Sequence, residues 1–312
     1  MNTKNIFVIV ALILIIAGIF FIVEHRAHLS NTTLSTTSNN KILVTASFYP
    51  LYYLASIIGG TYADVVNITP AGGEPHDYEP SAQDAARIEN SAMLLLVGDS
   101  MESWGKKERE SLNPQKTLIV MAADTLTTQQ VLEDGVNIVD PHVWLSPTLV
   151  IQMVDRILAG YEKIDPNHTV YYAHNAEALK ARLHGLDIDF KNGLANCKKQ
   201  DIVTSHAAFG YLASTYHLHQ IPIAGLSPDA EPSAQQLAAI VEIVKKDSIQ
   251  YIFFESLVSP KLAQTIATEV GAQTLLFDPL EGITQTNLEQ GKDYFTQMQL
   301  NLANLKIALQ CN

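Results

Sequence analysis

Three histidines and two carboxylates stand in loops from which a small cation could be gripped on several sides. His76 lies in Glu74-Pro75-His76-Asp77-Tyr78-Glu79-Pro80, His142 in Asp140-Pro141-His142-Val143-Trp144, and His206 in Ser205-His206-Ala207-Ala208-Phe209. Asp278 and Glu281 share the string Asp278-Pro279-Leu280-Glu281-Gly282. Imidazole nitrogens with one carboxylate oxygen suit four-coordinate zinc; calcium and magnesium prefer oxygen shells, and manganese asks for more oxygen than three imidazoles leave. Zinc takes the neutral imidazole, so affinity at such a site falls as the pH drops through the histidine range. The same residue types could serve a zinc hydrolase, with Glu74, Asp77 or Glu255 as general base. No HExxH helix, Gly-rich phosphate loop or Gly-x-Ser-x-Gly elbow accompanies them. Carriage is therefore expected over catalysis, and no catalytic residue is assigned.

A lone loop histidine is more often a surface or hydrogen-bonding group than a ligand. His25, His28, His168, His174, His184, His217 and His219 are read that way. On spacing alone the three loop histidines stand about evenly between the two roles. Their placement is what singles them out. Each loop follows a short β-branched run: 65–68 before His76, 136–139 before His142, 202–204 before His206 and 274–277 before Asp278. In open α/β sheets ligands bind beyond the carboxyl ends of the strands, so these loops could converge on one cleft.

The elements that would hold the loops alternate strand with helix from residue 41 onward, an α/β pattern with largely parallel sheets. Between 168 and 195 the rhythm changes. Tyr172, Ala176, Leu179, Leu183, Leu186, Phe190 and Leu194 step by 3 or 4 and form one apolar stripe. That spacing predicts a helix of about 28 residues, ~42 Å long, able to run along two lobes. Two helices broken at Gly185 are the alternative. The expected architecture is two lobes with parallel-type central sheets flanked by helices, joined by one long rigid backbone helix. The divisions are 1–29 for an anchor or signal segment, 30–40 for a flexible tether, 41–165 for the N-terminal lobe, 166–196 for the connecting helix and 197–312 for the C-terminal lobe.

Size and charge agree with that layout. The 312 residues carry 20 Lys+Arg against 32 Asp+Glu, a net charge of −12, with 47% hydrophobic residues, which is enough for a substantial core. An acidic surface with no basic block repels phosphate backbones, so nucleic acid is not an expected partner. Two cysteines exclude a Cys-rich zinc module. Residues 6–23 are apolar behind Lys4, long enough to span a bilayer at the lower limit. An uncleaved anchor is expected over a cleaved signal peptide, because no small-x-small site follows the run. The remainder is expected outside the cytoplasm, where Cys197 and Cys311 would form a disulfide from the end of the long helix to the C-terminal helix. Two unrelated thiols are the other reading.

The strings SFYPLYYLASIIGG, GGEPHDYEPSAQDAARI, DPHVWLSP, IVTSHAAFGYLA, GLSPDAEPS and FDPLEG resemble the zinc-specific solute-binding proteins of bacterial ABC importers, the cluster A-I metal receptors. The similarity runs from about residue 41 to the C-terminus. It implies two α/β lobes, a connecting helix and a metal ion between the lobes, with His76, His142 and His206 as ligands. Manganese-selective relatives place a carboxylate where His206 stands, so the resemblance favours Zn2+ as cargo over manganese or iron. It implies Glu281 as the fourth ligand, with Asp278 in reserve, and a membrane permease as partner to a monomeric receptor. Two departures stand out. Residues 123–140 hold no histidine where many zinc receptors carry a His-rich loop, and no lipid-attachment cysteine follows the apolar run, leaving that run as the tether.

Overall fold

The computed structural model describes residues 41–133 and 135–312. The anchor and tether expected at 1–29 and 30–40 lie outside the described residues, and among those described no helix is long and apolar enough to cross a membrane.

The first half builds β1 (Ile42–Ala46), α1 (Tyr49–Gly59), β2 (Ala63–Asn67), α2 (Ala82–Asn90), β3 (Met93–Leu96), α3 (Gly105–Ser111) and β4 (Leu118–Met121). A hairpin of β5 (Gln130–Glu133) and β6 (Val136–Val139) follows, then α4 (Pro147–Ile164) and the long α5 (Thr169–Leu194). The second half runs β7 (Asp201–Thr204), α6 (Gly210–Tyr216), β8 (His219–Pro222), α7 (Ala234–Lys246), β9 (Tyr251–Phe254), α8 (Lys261–Val270), β10 (Gln273–Leu276), α9 (Gln285–Glu289) and α10 (Tyr294–Ala308). Two four-stranded sheets result, ordered β2-β1-β3-β4 and β10-β9-β7-β8, with every adjacent pair parallel. Parallel strands need crossovers, and the helices supply them.

Local chemistry sets the helix starts. Ser81 and Ser233 open α2 and α7 with capping boxes closed by Asp84 and Gln236, and Pro147 occupies the first turn of α4. The long helix is continuous through Gly185, so the two-helix alternative falls; it has 26 residues. Gly185 faces open space, so its lack of a side chain costs only helix propensity, ~1 kcal/mol. Tyr172, Ala176, Leu179, Leu183, Leu186 and Phe190 are buried as the stripe requires. The helix packs on α1 and α4 from the first half and on α6 and α10 from the second. One apolar core therefore runs from Val44 and Leu51 beneath β1 through this stripe to Phe253, Phe277 and Leu305.

The sequence reads 290–310 as one terminal helix, but α10 begins only at Tyr294, because Gly291 (φ 70°) ends the turn that follows α9 and Asp293 caps α10. The polar α3 and the strand β5 had not been expected at all.

Cys197 and Cys311 are bonded across a separation of 114 residues and tie the end of α5 to the end of α10. Closing so long a loop contributes at most ~4–5 kcal/mol. Reduction is accordingly expected to lower the urea midpoint of unfolding; an identical midpoint with and without reductant would show that the bond carries no stability.

Candidate metal centre

The strands deliver their loops to one place. His76 follows β2, His142 follows β6, His206 follows β7 and Glu281 follows β10. Backbone anchors hold the loops: Gly72 N donates to Ile283 O, His142 N to the Asp140 carboxylate and Ala207 N to Gly225 O. Trp144 lies under His142, ring centroids 5.0 Å apart, and its indole N–H donates to Pro279 O at 2.8 Å. Tyr294 in turn donates to Trp144 O at 2.7 Å. The His142 loop and the Glu281 loop are thus braced against each other by buried aromatic side chains.

Four donor atoms converge. Glu281 Oε1 stands 3.2, 3.1 and 3.0 Å from the Nε2 atoms of His76, His142 and His206. The Nε2 atoms of His76 and His142 are 3.2 Å apart, and all four donors lie within 4.8 Å of one another. A tetrahedron with zinc–ligand bonds of ~2.0–2.1 Å has edges of ~3.3–3.4 Å, close to these separations. His142, His206 and Glu281 are buried, and His76 keeps only a 7% exposed side chain.

Outside this ring stand further carboxylates. Asp140 Oδ1 is 2.7 Å from His142 Nδ1, and Glu255 Oε1 is 2.7 Å from His206 Nδ1. Burial would push the His206 imidazole down, but the charges of Glu255 and Glu281 outweigh it and hold it well above the usual range. Burial opposes charge on His142 too, and hydrogen bonds to Asp140 and Glu281 win there as well. Glu281 would be raised by burial, yet the His206 charge and its imidazole partners hold its carboxyl well below the usual range. Glu74 accepts the His76 N–H through Oε1, while its buried Oε2 meets no donor; burial and the Glu281 charge push it up to about 8.

Asp278 is not in the ring. Its carboxylate accepts from Ser256 Oγ at 2.5 Å, Leu280 N at 2.8 Å and Gln297 Nε2 at 3.4 Å, bracing the turn that carries Glu281. Of the hydrolase base candidates, Glu255 is occupied by His206, and Asp77 is exposed. The other histidines keep ordinary roles where they are described: His168 pairs with Asp165 and stacks on Tyr62, and His219 meets Asp201. The outer partners of the imidazoles escaped the reading of the sequence. Asp140 had a signal, two residues before His142; Glu255 had none short of knowing that β7 and β9 are neighbours.

Two parallel sheets and a buried cluster of three imidazoles and one carboxylate make this an α/β protein with a candidate metal site. The chain matches the family described as "Zinc-uptake complex component A periplasmic" over residues 44–308, and it belongs to that family. It is 36% identical over 290 residues to the zinc-binding protein AdcA of Streptococcus pyogenes serotype M1, covering 86% of this chain and 56% of that protein. The chain thus spans little more than half the length of that relative. It is 34% identical to the high-affinity zinc uptake system protein ZnuA of Bacillus subtilis (strain 168), covering 95% of this chain and 96% of the other. Among solved structures, the Zn(II)-bound ZnuA-like domain of Streptococcus pneumoniae AdcA aligns with a TM-score of 0.75 at 38% identity, over 86% of this chain and 99% of that one.

Proposed function

We propose that this protein is an extracytoplasmic receptor that binds one zinc ion through His76, His142, His206 and Glu281 and delivers it to the membrane permease of an ABC-type importer. The observation that carries the reading is the spacing of the four donor atoms, 3.0–3.2 Å along four edges, which fits tetrahedral zinc. Three nitrogens and one oxygen favour zinc over manganese. Four protein ligands fill a zinc shell and leave no open position for a substrate or an activated water, which favours carriage over hydrolysis. The lobes are taken as 41–165 and 197–312 with 166–196 between them, and the ligands come from both. A small displacement of one lobe's loops would remove part of the shell and release the ion. The apolar segment 6–23 would tether a monomeric receptor to the outer face of the membrane.

The test is calorimetric titration of the metal-stripped protein. One tight equivalent of zinc, with manganese bound far more weakly, is the expected result. Tighter manganese would overturn the metal assignment, and turnover of an ester or peptide would revive the hydrolase. Acid should weaken zinc binding, and the sign follows from the ligands. Zinc must displace a proton from His206, whose neighbours hold that proton well above the ordinary histidine range. The affinity is therefore expected to fall with decreasing pH already above the ordinary histidine midpoint. Competition titrations across that range check it; a flat profile contradicts imidazole ligation.

A further inference from the structure

The hairpin β5–β6 belongs to neither parallel sheet, yet it ties together loops from both halves of the chain. We infer that this hairpin is a strap between the His142 loop and the loop beside His206, latched by Glu133, and that it sets how fast the bound ion leaves. This rests on the reading of the chain as a zinc receptor.

The base of the hairpin leads straight to His142. Asp140 N donates to Gln129 O at 3.0 Å and closes that base. One hydroxyl from α6 grips both sides of it: Tyr211 accepts from Gln129 N and donates to Asp140 O, each at 3.0 Å. At the far end, Glu133 Oε1 accepts the N–H of Leu226, in the loop after β8. In the same loop Gly225 O accepts the N–H of Ala207, the neighbour of His206. The strap thus runs from two residues before one ligand to a loop bonded beside another. Gly225 is fitted to the latch. A Cβ there would collide with the Glu133 carboxylate, and its φ lies outside the left-handed region, so the carboxylate and not the backbone calls for glycine.

Little besides these polar contacts holds the strap down. Among the described residues β5 and β6 pair only with each other, and an isolated two-stranded hairpin is marginal in water. Leu132 and Val136 are 69% and 61% exposed. A 410 Å3 cavity is lined by Val131 and Leu132 of the hairpin and by Ala224 and Ile240 of the second half, so apolar packing beneath the strap is incomplete. The hairpin can therefore lift as a local unit without unfolding either sheet. Breaking the bond from Leu226 to Glu133 frees its tip, and the opening that precedes release becomes more frequent.

The test loads the full-length, metal-stripped chain with one equivalent of zinc and follows its release to an excess of a metallochromic chelator by stopped flow. Glu133→Ala should release zinc ~10-fold faster, because a hydrogen bond to a carboxylate is lost. Gly225→Ala should do the same from the other side, its methyl group pushing the carboxylate off Leu226 N. The double variant should be no faster than either single one, since both changes undo the same contact. Glu133→Gln keeps an oxygen acceptor for Leu226 N and should stay within ~3-fold of the unaltered chain. Co2+ absorption of every variant should remain that of a tetrahedral site, because the strap supplies no ligand. Either alanine variant releasing zinc within about twofold of the unaltered chain overturns the strap. So do effects that multiply in the double variant, a glutamine variant as fast as Glu133→Ala, or an altered Co2+ spectrum. Thermal unfolding of the metal-free variants checks that they fold; should Glu133→Ala not, Gly225→Ala against Glu133→Gln decides. If the unaltered chain binds no zinc, the receptor reading itself fails and the strap falls with it. One tight zinc in the unaltered chain, with release rates indifferent to Glu133 and Gly225, would fault the strap alone.

Discussion

Replacing His142 by alanine is expected to weaken zinc binding by ~100-fold or more. Structural four-ligand zinc sites bind with ~10–16 kcal/mol, so an average ligand contributes ~3 kcal/mol, or about two decades in affinity. A more direct readout is thermal unfolding with and without zinc. At a free concentration ~1,000 times Kd the ion adds ~4 kcal/mol of stability, and a ~100-fold weaker site at the same concentration keeps only ~1.4 kcal/mol. The difference between the two conditions matters more than either melting temperature. His142 is fully buried and its Nδ1 partners Asp140, so the alanine variant also leaves a buried carboxylate short of a donor. That orphan costs ~1–3 kcal/mol with or without metal. It cancels in the zinc-dependent part. His206→Ala should behave alike, with Glu255 as the orphan. A zinc-dependent stabilisation that survives either change would remove that histidine from the site.

How much of this could be read from the residues differs from one level to the next. His76 and His206 were legible because their loops follow strands of the parallel sheets, whose carboxyl ends point to one side, whereas His142 follows β6, which pairs antiparallel with β5, so that rule does not place it. Their convergence was legible only as a possibility, since strand order is not written in the order of the chain. Glu255 shows why: 49 residues separate it from His206, and only the β9-β7 pairing makes them partners. The long helix was legible from its stripe, which outweighed Gly185 because the glycine lies on the outer side. The hairpin was half legible. β6 is β-branched and was expected, whereas Gln130-Val131-Leu132-Glu133 carries no strong signal and forms a strand because Gly135 (φ 80°) turns the chain back onto it. The helix α3 (Gly-Lys-Lys-Glu-Arg-Glu-Ser) has no apolar stripe to detect; only its start at Gly105 is buried. Between α9 and α10 the signal was present and overrun: a glycine in the left-handed region followed by an aspartate cap is a helix stop and a helix start.

Glu281→Ala and Asp278→Ala are expected to fail in different ways, and the contrast tests the fourth ligand. The loop after β10 presents both carboxylates, three residues apart, and composition gives no reason to choose between them. Geometry does. Glu281 Oε1 faces three imidazoles, so its removal should cost zinc ~100-fold in affinity, as for a histidine ligand. Asp278 faces Ser256, Leu280 and Gln297 and is 2% exposed. Removing it strands those donors, at ~1 kcal/mol each, so the fold should lose ~3 kcal/mol. Its effect on zinc is indirect. Asp278 holds the N–H of Leu280, whose φ of 58° turns the chain so that Glu281 points inward. A non-glycine residue keeps that conformation only where its surroundings impose it, so the loosened turn should cost zinc ~10-fold at most. Glu281→Ala should therefore lose zinc binding with the larger ratio, and Asp278→Ala should lose urea resistance in the metal-free state with the larger ratio. If the two variants exchange these signatures, Asp278 is the ligand and Glu281 is the brace.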